Sequence, residues 1–82
     1  MNKLLVSIYI AKIDEEFNIN VPIGVKVNEL INIIQDTICD LTAGNYVPND
    51  KALLYRYDGS VINVNNFVGF SGITNGVKLM LI

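Results

Sequence analysis

Residues 28–44 read NELINIIQDTICDLTAG and carry the start and stop signals of one helix. Asn28 is a favoured N-terminal cap, and the carboxylate of Glu29 suits the positive end of a helix. Gly44 stands where a left-handed residue can end it. The sequence therefore predicts a helix over residues 29–43.

This predicted helix is strongly amphipathic. With about 100° between consecutive residues, one arc of about 160° is almost entirely apolar and the opposite arc is polar. The apolar arc holds Leu30, Ile31, Ile33, Ile34, Thr37, Ile38 and Leu41. The polar arc holds Asn32, Gln35, Asp36, Cys39 and Asp40. So broad an apolar face is typical of a helix that covers one face of a sheet.

Two strands are predicted before the helix. Apolar residues alternate with others over residues 3–11 and again over 17–21, and this period of two is typical of strands. The first strand is expected to face the core with Leu4, Val6, Ile8 and Ile10. Pro22 and Gly24 close the second strand. Because only a short polar link separates the two strands, they are expected to form an antiparallel hairpin.

A second hairpin and a last strand are predicted after the helix. Residues 51–57 alternate, an Asp-Gly turn comes next, and residues 60–62 form a short return strand. Residues 63–76 are rich in asparagine and glycine, which indicates an ordered connection with a few apolar residues in the core. Residues 77–82 form the last predicted strand.

The resulting order, β-β-α-β-β-β, predicts an α+β fold with one helix packed on one face of a mixed sheet. Eighty-two residues without a linker are too few for two cores, so residues 1–82 are expected to form a single domain. The hydrophobic fraction is 51% and the charged fraction 17%, which allows the domain to fold by burial alone.

Composition argues against several classes of function. The basic residues are scattered singly and the net charge is −2, so nucleic acid is not an expected partner. With no histidine and one cysteine, no metal, cofactor or catalytic pair is expected. A lone cysteine fits a reducing compartment such as the cytoplasm. No run approaches the ~18 apolar residues of a membrane-spanning helix, so membrane insertion is not expected.

Two weaker candidates for chemistry have a simpler interpretation. Cys39 lies beside Asp36 on the polar arc, and negative neighbours lower the reactivity of a thiol, so an exposed and inert cysteine is expected. Asp14, Glu15 and Glu16 are consecutive, unlike the spaced ligands of a calcium loop, so a solvated turn is expected.

The whole pattern resembles ubiquitin, in which the last strand lies between two hairpins. A narrower resemblance, to the YukD/EsaB family of bacterial ubiquitin-like proteins, rests on the turn GITNG at 72–76 and the alternating Leu79 and Leu81 after it. This resemblance implies a ubiquitin-like β-grasp fold. It also implies a non-enzymatic, cytoplasmic, protein-binding adaptor or accessory component of a type VII (WXG100) secretion system. The expected partner is a membrane component or ATPase of that system, with self-association as the alternative.

Ubiquitin-like modifiers and sulfur carriers are the alternative function. They act through a flexible tail that ends in Gly-Gly. The sequence instead ends in LMLI at 79–82. Conjugation or sulfur transfer from this terminus is therefore not expected.

The outward face of the predicted sheet supplies the candidate protein-binding residues. Leu5, Leu54, Met80 and Ile82 are expected to point away from the helix on neighbouring strands. Large apolar side chains grouped in this way commonly form protein contact surfaces. Arg56, at a position where ubiquitin has an aliphatic residue, is predicted to lie among them as an interface hot spot. The alternative is that these are singly exposed apolar residues without a function.

Overall fold

The computed structural model describes residues 3–82, which form strands, one α-helix and a 3₁₀ turn. Residues 1 and 2, which belong to the predicted domain, lie outside this description. The strands are β1 (Lys3–Ile10), β2 (Glu15–Pro22), β3 (Leu54–Arg56) and β4 (Lys78–Leu81). The helix α1 spans Val27–Leu41, and the 3₁₀ turn spans Val68–Phe70.

The sheet has the order β2-β1-β4-β3, and its central pair is parallel. β1 and β2 form an antiparallel hairpin in which Val6 lies opposite Ile19. β4 runs parallel to β1, with Met80 beside Tyr9, and β3 lies antiparallel to β4 on its other side. The predicted mixed sheet, with the last strand between the two hairpins, is confirmed.

The predicted return strand at 60–62 is reduced to one bridge, between Val61 and Tyr55. Backbone hydrogen bonds flank it, one from Ile62 N to Leu54 O at 2.9 Å. Ile62 then turns into the core, where it is buried. Over residues 3–82 the sheet therefore has four strands where the sequence predicts five.

One hydrophobic core fills the space between α1 and the inner face of the sheet. Its most deeply buried residues are Val6, Ile8, Ile10, Val21, Val27, Leu30, Ile34, Ile38, Leu54, Ile62, Val68, Leu79 and Leu81. From the connection between β3 and β4, Val68 and Ile73 enter this core, whereas Phe67 and Phe70 stay exposed. The connection therefore closes the core with only part of its apolar residues.

The buried face of α1 is turned by about 50° from the predicted one. Gln35 was expected on the polar arc and is 2% exposed, whereas Ile33 and Leu41 were expected in the core and are 36% and 60% exposed. Gln35 Nε2 donates to Asn49 O at 3.0 Å, and Gln35 Oε1 accepts from Tyr46 Oη and Asn49 N, both at 2.7 Å. A polar side chain with these hydrogen bonds can be buried, so apolar periodicity alone misplaces the face.

Backbone carbonyls take the place of the predicted helix cap. Lys26 is the N-cap residue, and its side chain makes no capping hydrogen bond. Instead, Val27 N donates to Asn66 O at 2.9 Å, and Asn28 N donates to Val64 O at 3.1 Å. The prediction that Asn28 caps the helix is therefore wrong, because the connection before β4 supplies the acceptors that a capping side chain would supply.

At its other end α1 closes in a Schellman motif with alanine in the left-handed position. Gly44 N donates to Cys39 O at 2.9 Å, and Ala43 N donates to Asp40 O at 3.2 Å. The φ angles are 54° at Ala43 and 85° at Gly44. The helix therefore ends two residues before the predicted bound, and the left-handed stop falls at Ala43 rather than at Gly44. Ala43 carries the steric cost of a positive φ, since it has a Cβ.

Ala43→Gly is expected to stabilise the fold by about 1 kcal/mol, because glycine adopts positive φ without this cost. A urea titration would show a higher midpoint with an unchanged slope. The matched control is Ala11→Gly, at an exposed position without positive φ, which should not raise the midpoint. A midpoint for Ala43→Gly at or below that of the parent would contradict the helix end described here.

Ile34→Ala and Ile33→Ala test the rotation of α1. Ile34 is fully buried, so its truncation should destabilise by ~2–5 kcal/mol. Ile33 is 36% exposed, and its truncation should cost less than about 1 kcal/mol. Thermal melts of the two variants compare neighbouring positions with the same chemistry, and equal losses would mean that the buried face is centred where the periodicity predicts.

Candidate functional site

Within residues 3–82, α1 covers one face of the sheet, and the outer face consists of exposed and half-buried side chains. Backbone pairing places three of the predicted binding residues there: Leu5, Met80 and Ile82. Leu5 and Ile82 are exposed, and Met80 is half-buried. Whether they bind a protein stays a prediction.

Leu54 does not belong to this face. It lies opposite Leu81 in the β3–β4 pair, and both side chains point toward α1. Leu54 is 0% exposed, so the prediction that it points outward is wrong. Residues 51–57 have apolar residues in both phases of the alternation, so hydrophobicity alone does not show which phase faces the core.

The predicted position of Arg56 is wrong for the same reason. It lies opposite Leu79, which is buried, so its side chain leaves the sheet on the helix side. The guanidinium donates to the carbonyl of Ser71 and, at 3.4 Å, to Ser60 Oγ. A Cβ at Gly72, where φ is 83°, would come within 3.2 Å of Arg56 Nη2. Arg56 therefore holds the connection in place, and the prediction that it lies on the outer face is wrong.

Leu5 lies on the outer face but apart from Met80. The β1 residue beside Met80 is Tyr9, and Ser7 with its neighbour Lys78 lies between Tyr9 and Leu5. Four residues of strand separate Leu5 from Tyr9 by about 13 Å. The structure therefore does not bring all of the predicted residues into one patch.

A contiguous patch of aromatic and aliphatic side chains does cover β1, β4 and β3. Tyr9, Met80 and Tyr55 form one row across the three strands, and Ile82 and Leu53 form the next row through reciprocal backbone hydrogen bonds of 2.9 and 3.1 Å. Tyr57 continues β3 on the same face and is 52% exposed. We call this patch the tyrosine face; its residues are Tyr9, Leu53, Tyr55, Tyr57, Met80 and Ile82.

Four members of the tyrosine face are not among the binding residues predicted from the sequence. The outward orientation predicted for Leu54 places Leu53, Tyr55 and Tyr57 in the opposite phase, and Tyr9 is not among the predicted binding residues. One signal could have found them: tyrosine is less often fully buried than leucine, since its hydroxyl needs a partner. Tyr55 and Tyr57, at alternate positions, therefore indicate the outer phase of their strand better than hydrophobicity does.

Carboxylates border the tyrosine face at the β1–β2 turn. The hydroxyl of Tyr9 donates to Asp14 Oδ1, and that of Ser7 donates to Glu16 Oε2. The hydrogen bond to Asp14 raises the pKa of Tyr9 above its ordinary range, and burial and the negative charge of Asp14 act in the same direction. Two carboxylates of the predicted solvated turn thus fix hydroxyl groups at the edge of the patch.

Other candidate sites in the described part of the chain carry less chemistry. Cys39 is half-buried, not fully exposed as expected. An open cavity of about 370 Å³ lies between α1 and residues 49–53, but Gln35 in its wall is already bonded to Asn49 and Tyr46. Over residues 3–82, no cluster of three or more His, Cys, Asp or Glu side chains could hold a metal ion. None of the helices in that range is both long enough and apolar enough to span a bilayer.

No protein-family model matches the chain, and no curated protein sequence matches it. Solved structures do match. The ubiquitin-like domain of EccD5 from Mycobacterium xenopi is similar over 100% of this chain and 94% of its own, with a TM-score of 0.81 and 14% identity. The chain has the ubiquitin-like β-grasp fold. The predicted fold class is thereby confirmed.

Two further similar structures have comparable scores. The ubiquitin-like domain of the Mycobacterium tuberculosis type VII secretion system protein EccD1 matches with a TM-score of 0.74 and 12% identity, over 100% of this chain and 99% of its own. A chain of the MycP5-free ESX-5 inner membrane complex matches with a TM-score of 0.72 and 11% identity. The match covers 100% of this chain but 21% of that one. At these identities the likeness concerns the fold.

Asp14→Asn is expected to lower the pKa of Tyr9 toward its ordinary value, because it removes the charged acceptor. Since the pKa is raised in the folded state, the unfolded chain loses this proton first as the pH rises. The stabilising effect of the hydrogen bond is therefore fully present below the ordinary tyrosine pKa and is lost as the pH rises through the raised pKa of folded Tyr9. The Tyr9 ring resonances, followed by NMR against pH, measure the shift.

The control for this titration is Asp58→Asn. Asp58 is an exposed carboxylate that accepts hydrogen bonds from Ser60 rather than from a tyrosine. It should leave the Tyr9 titration unchanged. If both variants shift the Tyr9 pKa equally, the cause is overall charge and not the bond to Asp14.

Proposed function

We propose that this domain is a non-enzymatic adaptor that binds another protein through the tyrosine face. The observation that carries the proposal is the row Tyr9–Met80–Tyr55, flanked by Leu53 and Ile82. Tyrosine and methionine are enriched in protein interfaces, where tyrosine presents a large apolar ring and a polar tip. A partner surface of apolar side chains with hydrogen-bond acceptors at its rim would complement this face.

We further propose that the partner is a component of a type VII secretion system. The likeness to ubiquitin-like domains of EccD proteins, and to part of a chain in the ESX-5 inner membrane complex, supports this placement. The GITNG turn and the last strand support it independently, through their resemblance to the YukD/EsaB family. In such an assembly the domain would act on the cytoplasmic side and link a membrane component or ATPase to the rest of the complex.

A binding role without catalysis is supported by the side chains available. The chain contains no histidine, and its one thiol, on Cys39, is half-buried on α1 beside acidic residues. The polar groups around the tyrosine face are hydroxyls held by Asp14 and Glu16. The usual Ser-His and Cys-His pairs of nucleophilic catalysis cannot form in a chain without histidine. The tyrosine face is therefore suited to contact and not to chemistry.

Site-specific photocrosslinking tests the proposal in cells that encode the chain. A benzoylphenylalanine placed at Tyr55, on the tyrosine face, is expected to crosslink to a secretion-system protein that mass spectrometry identifies. The same probe at Asn18, on the outer face of β2, should give little of this product. Met80→Asp should abolish the Tyr55 crosslink, since a charge at the centre of an apolar contact is desolvated without a partner.

Asn18→Asp is the matched control, because it places the same charge on the same sheet face outside the tyrosine face. It should leave the Tyr55 crosslink intact. Circular dichroism melts of both variants should stay close to the parent, since surface substitutions usually change stability by about ±0.5 kcal/mol. Crosslinks from Asn18 alone, or an unchanged product in a folded Met80→Asp variant, would show that the tyrosine face is not the interface.

A further inference from the structure

β2 is an edge strand whose outer backbone groups are free to pair. Within residues 3–82, its only strand partner is β1. Ser7 N donates to Val77 O on the β4 side, so the odd-numbered residues of β1 direct their backbone groups to β4 and the even-numbered residues direct theirs to β2. Even residues of β1 lie opposite odd residues of β2. The N–H and C=O groups of Glu16, Asn18 and Asn20 therefore point away from the sheet.

An apolar strip of α1 lies beside this edge. Ile33 and Thr37 lie about 160–200° around the helix from Gln35. Gln35 bonds to Asn49, which lies toward β3, the opposite edge of the sheet. Ile33 and Thr37 therefore face the β2 side, where α1 packs against β2. With Leu41 they form what we call the apolar flank, and two of its members, Ile33 and Leu41, are exposed.

The side chains of β2 extend the apolar flank. Phe17 and Ile19 lie opposite the buried Ile8 and Val6, so they point to the helix side. Phe17 is half-buried. In a strand added beside β2, every second side chain would point to the helix side of the sheet and lie between β2 and the apolar flank.

Acidic residues surround the edge. Six of the eight acidic residues of the chain fall between positions 14 and 40 and are exposed: Asp14, Glu15, Glu16, Glu29, Asp36 and Asp40. The three on α1, Glu29, Asp36 and Asp40, lie within about 40° of one another around the helix axis, directly beside the apolar flank. The same stretch has one basic residue, Lys26, whose ammonium lies 5.8 Å from the centroid of the Phe67 ring. Lys3, opposite Pro22, and Lys12, in the β1–β2 turn, are exposed at the two ends of β2, so six carboxylates and three ammonium groups surround the edge and the net field there is negative.

We propose that the β2 edge binds an extended basic segment of a partner protein, in which lysine or arginine alternates with aliphatic residues, as a fifth strand. Its backbone bonds to Glu16, Asn18 and Asn20, its aliphatic side chains lie on the apolar flank, and its basic side chains lie on the outer side near the Glu16 carboxylate. A second copy of the chain is a poorer occupant, because pairing two β2 edges brings two acidic surfaces together. This site shares no residue with the tyrosine face and does not depend on the proposed function.

A capped Lys-Val-Lys-Val-Lys peptide tests the site on the isotope-labelled chain. On titration, hydrogen exchange at the Asn18 and Asn20 amides should slow by about tenfold or more, because both become hydrogen-bonded. Affinity should fall as salt is added. A Glu-Val-Glu-Val-Glu peptide offers the same apolar side chains with the opposite charge and should not bind.

Two variants separate the edge from the rest of the molecule. Asn18→Pro removes one outward N–H and leaves the bonds to β1 in place, so it should abolish peptide binding. The double variant Asp36→Asn with Asp40→Asn keeps the edge intact and should weaken binding of the lysine peptide, because it makes the field at the edge less negative. Met80→Asp, on the tyrosine face, should not affect binding, so a failure of the proposed function can be told from a failure of this one.

Three results would overturn the proposal. Equal binding of the two peptides would show that charge does not select the occupant. Slowed exchange at Tyr55 or Met80, with none at Asn18, would place the peptide elsewhere. Protection of Asn18 that rises with protein concentration in the absence of peptide would identify a second copy as the occupant.

Discussion

β1 and β4 lie side by side and parallel, although nearly the whole chain separates them. Parallel neighbours cannot be joined by a tight turn, so the chain between them must cross over the sheet. α1 makes most of that crossing, and its fully buried Leu30 and Ile34 lie over the inner face formed by Ile8 and Leu79. The hairpin partners then have only the outer positions left. β2 takes one edge and β3 takes the other.

Parallel strands are usually covered on both faces, and in this chain α1 covers only one. The uncovered face of the β1–β4 pair carries Tyr9 and Met80, with Tyr55 beside them on β3. Tyrosine tolerates this position because its ring packs on neighbours while its hydroxyl stays hydrated or, as in Tyr9, donates to a carboxylate. The same amphipathic character lets a partner remove water from the face without leaving a polar group unpaired.

Much of the fold could be predicted from local pattern, and the errors have a common cause. β1 has one apolar phase, so Val6, Ile8 and Ile10 were assigned to the core correctly. Around β3 both phases are apolar, and only the cross-strand partner Leu81 determines that Leu54 is buried. The burial of Gln35 likewise depends on Asn49, far from it in sequence. Three of the five predicted surface residues lie on the outer face: Leu5, Met80 and Ile82. The orientations of the other two, Leu54 and Arg56, depend on contacts with residues distant in sequence.

The two edges of the sheet differ in how far the chain itself occupies them. β3 spans three residues, and its outer side is engaged by the backbone of Ser60 and Ile62. β2 spans eight residues, and its acidic side chains are the protection that it carries against pairing with copies of itself. Negative charge repels a second acidic edge but attracts a basic strand, so it selects among strand partners and does not exclude all of them. Since many functions share this fold, the fold alone does not determine what this domain binds. Glu16 at the β2 edge and Met80 on the tyrosine face lie on different parts of the sheet, so the two proposed contacts share no residue.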